Sequence, residues 1–84
     1  GLNIELKTTK QFAEQTALIT LDILKQFKFY NSDNILFSSQ EILALTTIHA
    51  QAPAFKLGLV ADNWQDVNNA LSAQIPFYSL SLHY

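Results

Sequence analysis

Polar and apolar residues alternate along the first seven positions: Leu2, Ile4 and Leu6 fall on one side of an extended chain, and Asn3, Glu5 and Lys7 on the other. A period of two predicts a strand. The pattern then changes. Phe12, Ala13, Ala17, Leu21, Leu24 and Phe27 recur at three- and four-residue spacing, with Ile19 and Ile23 widening the stripe, which predicts a helix over 10–27. Thr8 or Thr9 can cap it, Glu14 suits its positive end, and Lys25 and Lys28 suit its negative end. A polar turn at 31–34 leads into Ile35-Leu36-Phe37-Ser38, a continuous apolar run that fits a strand buried on both faces.

The same alternation of elements continues to the end. Ser38 followed by Glu41 has the spacing of a capping box, opening a helix through Ile42, Leu43, Leu45, Thr46 and Ile48 to about His49. Pro53 stops it. Residues 55–60 read as a third buried strand, Asp62 or Asn63 caps a short helix over Trp64, Val67, Ala70 and Leu71, and 77–83 alternate as a fourth strand. Strand, helix, strand, helix, strand, helix, strand at repeats of roughly 20–30 residues is the pattern of βαβ units on a parallel sheet, and therefore of an α/β fold in a single domain over 1–84. In a parallel sheet every carboxyl strand end lies on one side, so Glu5, Lys7, Ser38, Ser39, Asp62 and His83 are expected to gather there.

Composition sharpens this picture. The chain is 49% hydrophobic and only 14% charged, against roughly 25% charged for an average domain. A chain of 84 residues buries only roughly 60–65% of its unfolded surface, so this excess of apolar residues predicts burial against another copy, another chain or the remainder of a larger fold. Five Lys and no Arg against seven acids give a net charge of −2, which leaves no basic footprint for nucleic acid. Cysteine is absent, so any metal must be held by oxygen or imidazole. No apolar run approaches the ~18 residues of a membrane span, and the amino end lacks the two regions of a signal peptide. The chain has no Met and opens in mid-strand, from which a piece of a longer protein is expected. Nothing in it fixes a compartment.

Three stretches together carry a resemblance: Asn3-Ile4-Glu5-Leu6-Lys7, then Ile35-Leu36-Phe37-Ser38-Ser39, then Pro53 followed by Lys56-Leu57-Gly58-Leu59-Val60. In order and spacing they resemble the middle-to-late part of the glycerophosphodiester phosphodiesterase family. The resemblance implies a partial (β/α)8 TIM barrel, roughly strands four to seven, from an enzyme that hydrolyses glycerophosphodiesters to an alcohol and glycerol 3-phosphate. By the same resemblance, Glu5 is a ligand of a divalent metal, Ca²⁺ or Mg²⁺, and Lys7 contacts the substrate phosphate. The chemistry agrees, because a hard cation takes carboxylate oxygen and a phosphodiester anion takes an ammonium.

The departures from the family pattern are as informative. Gln40 stands where the family usually has Phe after the Ser-Ser pair, and neither the His-Arg pair nor the Glu-x-Asp pair that completes the metal site occurs in the chain. No catalytic residue is therefore assigned within these residues, and the 84 residues alone are expected to be inactive. The competing reading is a non-enzymatic α/β module that packs against a copy of itself or another chain. Ser38 and Ser39 read as cap and packing residues, Trp64 as helix-sheet packing, His83 as an edge or packing histidine, and His49 as solvated.

Overall fold

The computed structural model describes residues 2–26 and 34–82. In chain order they form β1 (Leu2–Leu6), α1 (Ala13–Lys25), β2 (Ile35–Ser39), α2 (Ile42–Gln51), β3 (Lys56–Ala61), α3 (Trp64–Ser72) and β4 (Ser79–Leu82). The four strands make one parallel sheet in the order β1-β2-β3-β4. This is the β-α-β-α-β-α-β architecture expected from the pattern. The polar turn at 31–33, Phe27, Lys28 and His83 lie outside the described residues.

Register divides the sheet into two chemically different faces. Ile4, Phe37 and Leu57 are in one row, and Leu6, Ser39, Leu59 and Leu80 in another, on the same side. Most of these join Ala13, Ala17 and Leu21 of α1, Ala44, Leu45 and Ile48 of α2, and Val67 and Ala70 of α3 in a single core. Phe37 is wholly buried and meets Phe55 edge to face, ring centres 5.1 Å apart, the arrangement that aromatic quadrupoles favour. All three helices therefore cover one face. The opposite face carries Asn3, Leu36 and Lys56 in one row and Glu5, Ser38, Gly58 and Ser79 in the next.

On that second face the two central strands are largely enclosed as expected, Ser38 being 6% exposed and Gly58 buried, although no helix covers them. Leu36 is half-buried rather than core, and its neighbours on that face are mainly polar. The continuous apolar run at 35–37 is thus a strand with one covered face and one leucine on the other. Among the described residues, most exposed large apolar side chains lie on the helices, with Leu2, Tyr78 and Leu80 outside them.

Helix starts also differ from the sequence reading. Phe12, not Thr8 or Thr9, occupies the cap position of α1, with no side-chain cap, because a turn closed by the Phe12 amide on the Thr9 carbonyl (3.0 Å) intervenes. Thr8 instead shares a hydroxyl hydrogen bond with Thr16 (3.0 Å). The capping box at Ser38 does not form, since Ser38 remains in β2. Glu41 caps α2, its carboxylate accepting from the Leu43 amide (3.3 Å). Asn63 caps α3 as expected, accepting from the Asp66 amide (2.9 Å).

Three side chains depart from their expected surroundings. Trp64, read as helix-sheet packing, is 65% exposed, because it is the first residue of α3 and Val67 and Ala70 already fill the buried stripe. Ile19 and Ile23 are each 50% exposed; they lie on a flank of α1, off the Ala13-Ala17-Leu21 stripe that meets the sheet. His49, read as solvated, is half-buried, and its Nδ1 is enclosed with no hydrogen-bond partner among the described residues.

Candidate active-site cleft at the strand carboxyl ends

Glu5 is the penultimate residue of β1 and pairs in register with Ser38. Its side chain belongs to the uncovered face and is exposed. Lys7 follows the last strand residue and is also exposed, and the two side chains border one cleft of about 350 Å³ with Leu6, Thr8, Ser39 and Gln40. A second hollow, of about 400 Å³, opens at the opposite, amino ends of the strands, bordered by Asn3, Leu36, Lys56 and Tyr78 among others. It is slightly larger. The carboxyl-end cleft is nonetheless the better candidate, because parallel α/β sheets present their ligand-binding loops at carboxyl ends.

The floor of the cleft is tied together by Ser39. Its hydroxyl is buried, donates to the Leu6 carbonyl (2.7 Å) and accepts from the Glu41 amide (3.0 Å). One side chain thereby joins the end of the strand bearing Glu5 to the start of α2. Ser38 does a related task one step back: its hydroxyl donates to Asn3 Oδ1 (3.0 Å), across the uncovered face from β2 to β1. These bonds make both serines structural, in agreement with their reading as packing residues.

On the far rim, the Gln40 amide donates to Asp62 Oδ1 (3.5 Å), a long contact that spans the ends of β2 and β3. Asp62 is therefore a rim residue rather than the cap of α3. The sequence placed Asp62 on the correct side of the sheet but gave no sign that Gln40 would face it. His83, expected at the same side, lies outside the described residues.

The donor set bears on a metal in a limited way. Glu5 offers the charged oxygen a hard divalent cation needs, but among the described residues no three His, Cys, Asp or Glu side chains gather closely enough to hold an ion. A metal held at Glu5 would need its remaining donors from outside the described residues. No helix among the described residues is long and apolar enough to cross a membrane. No family model matches the chain, and no curated protein or solved structure matches it significantly.

Proposed function

We propose that this chain supplies the metal carboxylate and the phosphate-binding ammonium of a metal-dependent glycerophosphodiester phosphodiesterase built on a (β/α)8 barrel. The observation that supports the reading is the shared cleft: Glu5 and Lys7 border one hollow at the carboxyl end of a parallel sheet. A bound divalent cation supplies charge neutralisation at the phosphoryl oxygens. Lys7 holds and orients the phosphate anion, Glu5 anchors the cation beside it, and Ser39 keeps the strand end that carries them fixed against α2.

Packing geometry supports the barrel. Neighbouring strands are about 4.8 Å apart, whereas packed helices need about 8–10 Å between axes. Three helices on one face of four sequential strands fit only if the sheet curls away from them, so that they fan out on the convex side. The uncovered face is then concave and becomes the lining of a barrel. On this face Glu5 stands at the carboxyl end of β1, where a barrel opens onto its substrate, while Asn3 and Lys56 lie toward the amino ends.

Calorimetric titration of the full-length protein with Ca²⁺ and Mg²⁺ tests the assignment. Glu5→Gln keeps the volume and removes the charge, so metal affinity should fall, while Lys7→Met should leave metal affinity intact and weaken binding of a glycerophosphodiester. Unchanged metal affinity in the Glu5 variant would remove the basis for the reading.

A further inference from the structure

One neutral polar group in the carboxyl-end cleft is left without a partner. The border of the cleft holds Glu5, Leu6, Lys7, Thr8, Ser39 and Gln40. Glu5 and Lys7 carry the charges. The Thr8 hydroxyl is shared between Thr16 (3.0 Å) and the Thr9 carbonyl (3.3 Å), and the Ser39 hydroxyl both donates to Leu6 and accepts from Glu41. That leaves Gln40. A carboxylate has only acceptor atoms, so the Gln40 amide must turn its NH2 group toward Asp62, where Nε2 lies 3.5 Å from Oδ1. Its carbonyl oxygen, Oε1, makes no hydrogen bond among the described residues.

Strand register sets that oxygen beside the phosphate contact. Leu6 and Ser39 are partners across β1 and β2, so Lys7 and Gln40, which follow them, leave neighbouring strands about 4.8 Å apart. Both border the same cleft. We propose that Gln40 selects the alcohol esterified to the phosphate: its Oε1 accepts a hydrogen bond from a free hydroxyl one or two carbons from the ester oxygen, so that the cleft prefers phosphodiesters of polyhydroxylated alcohols to those of alkyl or cationic alcohols. Asp62 is the positioning residue that fixes the direction of the amide. This role rests on the phosphodiesterase reading and deepens it.

The chemistry of each possible neighbour decides the class. The phosphate brings only acceptor oxygens, which a carbonyl oxygen repels, so Oε1 requires a donor. An alkyl chain brings none and strips Oε1 of its water without replacing the bond. A cationic head group is matched by a carboxylate rather than by an amide carbonyl, and the carboxylate nearby, Asp62, is engaged by Gln40 and is not among the residues that border the cleft. A hydroxyl close to the ester oxygen supplies the donor, and from a phosphate held at Lys7 it reaches the adjoining strand.

The test is the ratio of kcat/KM, in the full-length protein, for two phosphodiesters that differ only in their hydroxyls, glycerol methyl phosphate and propyl methyl phosphate. The glycerol ester should be preferred about 2–10-fold, the effect of one hydrogen bond. Gln40→Leu, at an exposed position, should abolish the preference. Gln40→Glu should keep it, since a carboxylate still accepts from a hydroxyl, while weakening the use of both esters by repelling the phosphate. Asp62→Asn should give an intermediate ratio, because an asparagine amide can face either end of the Gln40 amide; a merely structural role for either residue would change both esters equally. Absence of a preference, or a preference that Gln40→Leu leaves unmoved, with both esters still turned over and metal affinity still lowered by Glu5→Gln, overturns the proposal and leaves the phosphodiesterase reading in place. A preference for choline or ethanolamine diesters that Asp62→Asn removes overturns it in the same way. No turnover of any diester, with metal affinity indifferent to Glu5, overturns the reading and this role with it.

Discussion

Replacing Ser39 by Ala tests the idea that one hydroxyl holds the cleft together. The side chain is 1% exposed and makes two hydrogen bonds, to the Leu6 carbonyl at 2.7 Å and from the Glu41 amide at 3.0 Å. Each bond contributes about 0.5–1.5 kcal/mol net, and a buried group left without its partner costs about 1–3 kcal/mol. Leu6 is itself buried, so its carbonyl has little access to replacement water, while the Glu41 amide at the start of α2 is only half-buried and recovers part of the loss. The expected penalty is about 2–3 kcal/mol, a large share of the total for a small domain. Urea unfolding followed by circular dichroism should show a lower midpoint with an unchanged slope. Ser38→Ala, which loses only the bond to Asn3, should cost about 1 kcal/mol. Because any self-association makes stability concentration-dependent, both variants are to be compared with the parent chain at matched protein concentrations. A Ser39 penalty below about 0.5 kcal/mol, or one no greater than that of Ser38, would refute the reasoning.

Other substitutions probe independent features. Gln74, just past the end of α3, has φ 59°, a left-handed conformation that glycine adopts without the penalty of a Cβ, so Gln74→Gly should stabilise the chain by about 0.5–1 kcal/mol in the same unfolding assay. Gly58→Ala brings a Cβ to 2.6 Å from Ser79 Oγ; the hydroxyl must rotate away, so only a small destabilisation should appear with Ser79 present, and it should vanish when Ser79→Ala is added, a double-mutant cycle read by denaturant midpoint. Asn63→Ala removes the cap of α3 and should cost about 1 kcal/mol. On the proposed reading, turnover of glycerophosphocholine by the 84-residue chain should be undetectable above a Glu5→Ala control, because no general acid or base, each worth roughly 10²–10⁴-fold, is assigned within it.

The order and direction of the elements were legible in the sequence because each rests on local physics. Alternation at Leu2–Lys7, three- and four-residue spacing at Ala13–Leu24, and the stop at Pro53 act over a few residues and need no partner to be recognised. The side of the sheet on which Glu5 and Lys7 lie followed as well, since a parallel arrangement sends all carboxyl ends one way. What a side chain touches was a different matter. Ser38 and Ser39 are adjacent and chemically identical, yet one crosses the open face to Asn3 and the other locks Leu6 to α2. Only strand register distributes those roles. The capping box at Ser38 failed because the hydrogen bonds of β2 to its neighbours kept that residue extended, a tertiary constraint that outweighs a local spacing. Likewise, hydrophobicity alone could not tell Ile19 and Ile23 from Ala17 and Leu21. All four are apolar and close together on one helix, and the sheet, by meeting only one side of α1, decided which were buried and which were left facing outward.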